Sequence, residues 1–83
     1  MTCFIVAYDL MFRGQDYEAI EQAIDHLGEA VKLQFSLYCV QTSLSIEEVY
    51  RRLRASMDEN DRLIVTETAG FMSSMQGGRF MPC

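Results

Sequence analysis

Long apolar runs, clustered cysteines and glycine-rich phosphate loops are all missing from this sequence of 83 residues. No apolar stretch approaches the ~20 residues that a helix needs to cross a bilayer. No basic region precedes the apolar N-terminal run Cys3–Tyr8, so we expect no signal peptide. These absences predict a cytoplasmic protein with no membrane partner and no recognisable nucleotide-binding loop.

Cysteine is scarce and scattered. Cys3, Cys39 and Cys83 are odd in number, and no C-x-x-C pair occurs. This spacing predicts neither a zinc site nor a disulfide framework. We expect Cys3 and Cys39 to be small buried strand residues in a reducing compartment, and Cys83 to be a free thiol.

Basic residues are also few. Seven Lys and Arg residues stand against twelve Asp and Glu residues, which gives a net charge of −5. Residues 1–50 contain only Arg13 and Lys32 as basic side chains, so this half repels a polyanion. Local positive potential is confined to Arg51, Arg52 and Arg54, with Arg62 after them. A solvated helix face paired with Glu47 and Glu48 is the alternative interpretation of these arginines.

Hydrophobic spacing predicts a strand, a helix, a second β-rich stretch, a helix and a strand. The 49% hydrophobic content indicates a folded chain. The continuous apolar run Cys3–Tyr8 is typical of a strand buried on both faces. Residues 30–41 are long for one strand, so we expect a break or tight hairpin near Lys32–Phe35.

Two helices are marked by apolar stripes and capping residues. Tyr17, Ile20, Ile24 and Leu27 recur at helical spacing after Asp16, a candidate N-cap. Ser45 and Glu48 have the spacing of a capping box at the start of the second helix. The last strand is predicted at Leu63–Thr66.

This order predicts an α+β fold, a ferredoxin-like β-α-β-β-α-β sandwich over residues 1–69. Right-handed crossovers would place both helices on one face of an antiparallel sheet. Residues 70–83 are predicted to form a flexible or strand-swapped C-terminal tail, with a short strand near Phe71–Met75. Leu33, Phe35, Leu37 and Cys39 alternate onto one face of the sheet, whereas Tyr38 and Val40 point to the other, which is expected to be the face without helices. Because one apolar face would stay uncovered, we expect a homodimer through that face.

Two segments resemble a known family. The first is the apolar strand Phe4–Leu10, which closes on Tyr8-Asp9. The second runs from Gly28 to Glu67 and contains Leu33–Tyr38, a capped helix with a basic face, and the acidic turn Asp58–Asp61. Together they look like the small CRISPR-associated adaptation protein, the second core spacer-acquisition protein. The wider superfamily includes VapD-like toxin ribonucleases and SinR-like proteins.

The resemblance implies a ferredoxin-like homodimer that takes part in antiviral defence, as a metal-dependent endoribonuclease or DNA nuclease or as a non-catalytic scaffold. Asp9 matches the proposed ligand for Mg²⁺ near the two-fold axis, and Ser36 matches a catalytic-segment serine there. Two facing carboxylates repel each other and favour a shared proton or a bound cation. Arg13, Lys32, Arg51 and Arg54 are the candidate nucleic-acid contacts.

Simpler roles remain open for the same residues. Asp9 can be a polar strand terminus that caps the next loop, and Ser36 a small residue at a strand kink. Since few cations surround Asp9, a non-catalytic dimeric adaptor that binds a protein partner is the alternative function. A small-ligand regulatory domain is a third, which no cofactor motif supports.

Overall fold

Six strands and two helices make up the part of the chain that the computed structural model describes, residues 1–11, 17–74 and 77–83. The elements are β1 (Thr2–Asp9), α1 (Tyr17–Asp25), β2 (Glu29–Gln34), β3 (Leu37–Thr42), α2 (Ile46–Arg54), β4 (Arg62–Thr68), β5 (Gly70–Met72) and β6 (Phe80–Pro82). Neither of these helices has the length and apolar character needed to span a bilayer. Arg13 and the predicted cap Asp16 lie outside the described residues.

The main sheet has four antiparallel strands in the order β2-β3-β1-β4. The prediction of an α+β fold is therefore confirmed. The expected break in the long β-rich stretch is also present, because β2 and β3 form a hairpin with a register shift between Lys32 and Gln34. Ser36 in the turn has a φ of 61°, a left-handed conformation that is uncommon for a residue other than glycine.

Both helices pack on one face of the sheet, here called the helix face. Its fully buried side chains come from both helices and from the strands β1 and β3, and they are Phe4, Val6, Ile20, Ile24, Val40, Val49 and Leu53. Tyr8 and Tyr38 belong to the same core. This corrects the expected assignment of faces: Tyr38 and Val40 lie under the helices, and the Leu33–Cys39 side is the one that the helices leave open.

The predicted N-cap of α2 is confirmed. The Glu48 amide donates to Ser45 Oγ at 3.2 Å, which satisfies one of the free amides of the first turn. The Glu48 carboxylate accepts hydrogen bonds from Arg51 and Arg52. Ser45 thus fixes where α2 begins. The carboxylate of Glu48, the acidic residue of the capping-box pattern, binds Arg51 and Arg52 in the next turn of the helix.

The opposite face of the sheet, here called the ribbon face, is partly covered by β5 and β6. These strands pair with each other as a two-stranded antiparallel ribbon, here called the C-terminal ribbon. Phe71 packs against a small cluster that contains Cys3, Leu33 and Cys39. The sequence predicts a flexible or strand-swapped tail for residues 70–83. In the structure, the strands β5 and β6 of this segment lie against the main sheet of the same chain.

A disulfide joins Cys3 to Cys83, so the prediction that these cysteines are unpaired is wrong. Their Cα atoms are 5.8 Å apart, within the usual span of a disulfide. The two residues are 80 positions apart, and spacing along the chain gives no sign that they meet. Cys39 is a buried free thiol, in agreement with its predicted role as a small strand residue.

Candidate functional site

Asp9 ends β1, one of the two central strands of the sheet, and its side chain is exposed. Its partner in register on β4 is Arg62, and the preceding pair on this face is Ala7 with Ile64. Since side chains alternate along a strand, Asp9 lies on the same face as Cys3 and Ile5. Asp9 therefore stands at the end of the ribbon face.

Asp61 fixes the backbone that follows Asp9, and sequence reasoning did not single it out. Its carboxylate accepts hydrogen bonds from the Met11 amide and from the Asp58 amide, both at 2.9 Å. Only 6% of Asp61 is exposed, and two amide donors satisfy its oxygens in place of water. It thus joins the segment after β1 to the turn between α2 and β4. The signal in the sequence was an acidic residue directly before an apolar strand.

Ser36 lies at the same end of the sheet as Asp9. Its carbonyl oxygen accepts a hydrogen bond from the Tyr8 amide at 3.1 Å, and its hydroxyl contacts the Tyr8 phenol. The structure therefore places the two predicted catalytic residues at the same end of the sheet. Asp9 follows Tyr8 in the chain, and Ser36 accepts the hydrogen bond from the Tyr8 amide. Ser36 also occupies the strained position of the β2–β3 turn, which the simpler interpretation of this residue predicted.

A series of contacts leads from Tyr8, at this end of the sheet, to Tyr38 and Glu21. The Tyr8 and Tyr38 rings stack with centroids 6.3 Å apart, and the Tyr38 hydroxyl donates to Glu21 Oε2 at 3.2 Å. Lys32 Nζ lies 3.3 Å from the same carboxylate oxygen. Burial raises the pKa of both phenols above their usual value, and the Glu21 charge adds to the effect at Tyr38. Both tyrosines are therefore held as neutral donors at physiological pH.

The predicted nucleic-acid contacts that the structure describes, Lys32, Arg51 and Arg54, are engaged within the chain. Lys32 pairs with Glu21 and lies 5.7 Å from the centroid of the exposed Phe35 ring. Arg51 and Arg52 both bind Glu48, and their hydrogen bonds lower the pKa of that carboxyl to about 2.

Arg54 lies near the C-terminal end of α2 and binds backbone oxygens. Its guanidinium donates to the carbonyl oxygens of Asp58 and Glu59 at 2.7 and 2.8 Å. The same guanidinium thus holds the turn that leads to Arg62 and β4. Arg13 lies outside the described residues.

Within residues 1–11, 17–74 and 77–83, no three His, Cys, Asp or Glu side chains meet as a metal-binding group. Mg²⁺ is commonly held by one or two carboxylates and keeps several waters. Asp9 supplies one exposed carboxylate per chain, so two copies that bring their Asp9 side chains together would offer the two carboxylates that suit this ion.

The ribbon face carries the apolar surface that the helices leave uncovered. Ile64 is 64% exposed on β4, and Val31 is 51% exposed on β2. Between them, Ile5 and Leu37 are half-buried beside the Phe71 ring. This apolar strip leads directly to Asp9, because Ala7 and Ile64 are the register pair next to Asp9 and Arg62.

No protein-family model matches the chain, and no solved structure gives a significant match.

Proposed function

We propose that this chain is a ferredoxin-like homodimer of the CRISPR-associated, nuclease-like kind, which cleaves RNA or DNA phosphodiester bonds with Mg²⁺ between two Asp9 carboxylates. The sheet order β2-β3-β1-β4, with both helices in one core, supports the ferredoxin-like arrangement. The single observation that carries the proposal is the position of Asp9. It is exposed at the end of a central strand and borders an uncovered apolar strip.

The geometry favours a two-fold pairing of ribbon faces. A C₂ interface brings the same surface patch of both copies together, so a residue near the axis meets its own twin. Packing the exposed Ile64 side chains across the axis would bring the two Asp9 side chains to the same end of the interface. Bound Mg²⁺ would neutralise charge and polarise a phosphodiester oxygen.

The chain's own residues would orient this site. Asp61 holds the backbone after Asp9 through the Met11 amide. Arg62 lies opposite Asp9 in register and offers a cation for a substrate phosphate. Ser36 holds the end of β1 through the Tyr8 amide. In this proposal Asp9 binds the metal, and Asp61 and Ser36 are positioning residues.

Nuclease activity is tested with labelled single-stranded RNA and duplex DNA, with Mg²⁺ and with EDTA, on reduced protein. Asp9→Asn removes the ligand charge, and Asp25→Asn removes an equally exposed carboxylate at the end of α1. We expect cleavage by wild type and Asp25→Asn only with Mg²⁺, and a loss of about 100-fold in Asp9→Asn, typical of a group that stabilises the transition state. Equal cleavage by all three proteins would refute the role of Asp9.

Dimerisation is tested separately by sedimentation equilibrium on reduced protein. Ile64→Arg places a charge on the apolar strip, whereas Tyr50→Arg places one on exposed α2. We expect a dimer for wild type and Tyr50→Arg, and a monomer for Ile64→Arg. A wild-type monomer at micromolar concentration would refute the paired-aspartate site.

A non-catalytic dimeric adaptor is the second candidate, and the engaged cations favour it. Lys32 pairs with Glu21, and Arg51 and Arg52 share the Glu48 carboxylate, so carboxylates offset part of the positive charge that a phosphate backbone would need. This role predicts no saturable binding of labelled RNA or DNA in low salt by fluorescence anisotropy. It also predicts capture of a stoichiometric basic protein partner that is released by salt. Salt-dependent nucleic-acid binding at micromolar concentration would exclude it.

A further inference from the structure

The C-terminal ribbon turns back over the sheet through a very short connection. One residue, Ala69, separates β4 from β5, and Thr68 Oγ1 donates to the Gly70 carbonyl oxygen at 2.6 Å. Gly70 lies against β6, since a Cβ there would be 2.7 Å from the Met81 carbonyl oxygen. At the far end, the Cys83 amide donates to the Ala69 carbonyl oxygen at 2.9 Å. The two ends of the ribbon therefore meet at Ala69, the residue that connects the ribbon to β4.

Among the described residues, the ribbon reaches the buried cluster of the sheet at the disulfide and at Phe71. Phe71 is the described ribbon side chain that packs into the buried cluster, while Met72 and Phe80 remain 67% and 58% exposed. Two cavities, of 150 and 280 Å³, lie between ribbon and sheet. A two-stranded ribbon is at best marginally stable by itself, and these strands have three residues each.

All three cysteines line the smaller cavity, together with Phe71. The Cys3–Cys83 bond thus crosses from the sheet to the ribbon beside this cavity. Cys39 lies beneath the ribbon, and burial raises the pKa of its thiol. Besides the covalent bond, the described links between the ribbon and the sheet include the Phe71 side chain and the Ala69 connection.

We infer that the Cys3–Cys83 disulfide is a redox latch: its reduction frees the C-terminal ribbon and uncovers the ribbon face for a second copy of this chain. A small-molecule thiolate attacks one sulfur and forms a mixed disulfide, and the other cysteine leaves as a thiolate that takes up a proton. A second small thiol resolves the mixed disulfide. Cys3 and Cys83 end as thiols, and the reductant leaves as its own disulfide.

A second copy of this chain would bind the uncovered ribbon face, because the ribbon and the proposed dimer interface lie on one continuous surface. The ribbon covers Ile5, Leu33 and Leu37, and Ile64 is exposed beside them on β4. Release of the ribbon would join these side chains into one apolar patch, the kind of surface that drives association. This step rests on the homodimer proposed above, and it makes the dimer a property of the reduced chain.

Ribbon release is measured first, by hydrogen exchange of the amides of β5 and β6. Oxidised wild type, reduced wild type and the Cys3→Ser/Cys83→Ser double variant are compared, with Cys39→Ala as the control that keeps the latch. Reduction and the double substitution are expected to speed exchange of these amides about tenfold or more, as local opening becomes favourable. Oxidised Cys39→Ala is expected to match oxidised wild type. Circular dichroism checks that the helices stay folded, and reoxidation of wild type is expected to restore protection.

Molecular mass is measured on the same samples by sedimentation equilibrium. The expected result is a monomer when oxidised and a dimer when reduced or when both cysteines are replaced. Protection of the ribbon that persists after reduction would overturn the latch, whatever the nuclease assays show. A dimer that forms with the ribbon still protected would overturn the latch and leave the proposed homodimer intact. A released ribbon in a chain that stays monomeric would overturn both the docking of a second copy and the proposed homodimer.

Discussion

The two faces of the sheet are closed by different means. On the helix face, Phe4, Val6 and Val40 are at most 2% exposed beneath two amphipathic helices. On the ribbon face, Cys3, Leu33 and Cys39 are 3–9% exposed under a short ribbon, and Ile64 on the same face is 64% exposed. The difference shows that local sequence patterns close one face. A short ribbon, tied to the sheet by a disulfide between distant cysteines, covers part of the other.

The largest expected effect contrasts one side chain from each face. Leu53→Ala removes a fully buried helix residue and is expected to lower the free energy of unfolding by about 2–5 kcal/mol. Phe71→Ala, under the ribbon, is expected to cost about 1 kcal/mol, the ordinary size for a point change. Urea denaturation of the oxidised proteins measures both. Equal losses would show that both faces belong to one cooperative core.

Removal of the disulfide tests the covalent closure. Cys83→Ser is expected to lower the free energy of unfolding by about 2–4 kcal/mol without reductant, because the unfolded chain is no longer constrained. In the presence of reductant, wild type and Cys83→Ser are expected to unfold at the same urea concentration, which is the matched control. A difference that persists in reductant would mean that Cys83 contributes through packing.

The pH dependence of stability reports on the helix face. Burial raises the pKa of the Tyr8 and Tyr38 phenols above the ordinary 10.0, so the unfolded chain releases these protons at lower pH than the folded chain. Their contribution to stability is fully present below pH 10 and is lost as the pH rises through the folded values. Tyr8→Phe is expected to flatten the fall in urea midpoint above pH 10. An unchanged slope would contradict the assignment.

The smallest expected effect concerns the exposed side of α2. Hydrogen bonds from Arg51 and Arg52 lower the Glu48 pKa from the ordinary 4.5 to about 2. The stabilisation is present above pH 4.5 and is lost as the pH falls toward 2. A carboxyl-carbon NMR titration is expected to show this low pKa and its rise in Arg51→Gln. A value near 4.5 in wild type would show that these ion pairs do not form in solution, as is common for exposed charges.

Much of the fold was predictable because its signals are local. The stripe of Ile20 and Ile24, the Ser45 cap and the break before Leu37 each depend on residues a few positions apart. The candidate site was predictable only in part. The resemblance implies that Asp9 and Ser36 lie near a two-fold axis, which stays a prediction, and in the chain itself the two residues lie at the same end of the sheet.

Other features of the site escaped prediction because they depend on distant pairing. Asp61 binds the Met11 amide across 50 positions of chain, and Glu21 meets Tyr38 across 17. The face on which Tyr38 lies was also assigned wrongly, since alternation along a strand separates two faces without showing which one the helices cover.

The sequence alone determined where the helices and core strands lie, how α2 begins, and that one sheet face would lack a helix. Only the tertiary structure decided that the helices cover Tyr38 and Val40, that Glu21 and Glu48 engage the basic side chains, and that Cys3 meets Cys83. The reason is the distance along the chain over which each feature is specified. Helical spacing and strand alternation act over two to four residues, whereas a contact between the ends of an 83-residue chain exists only after the sheet has set its strand order.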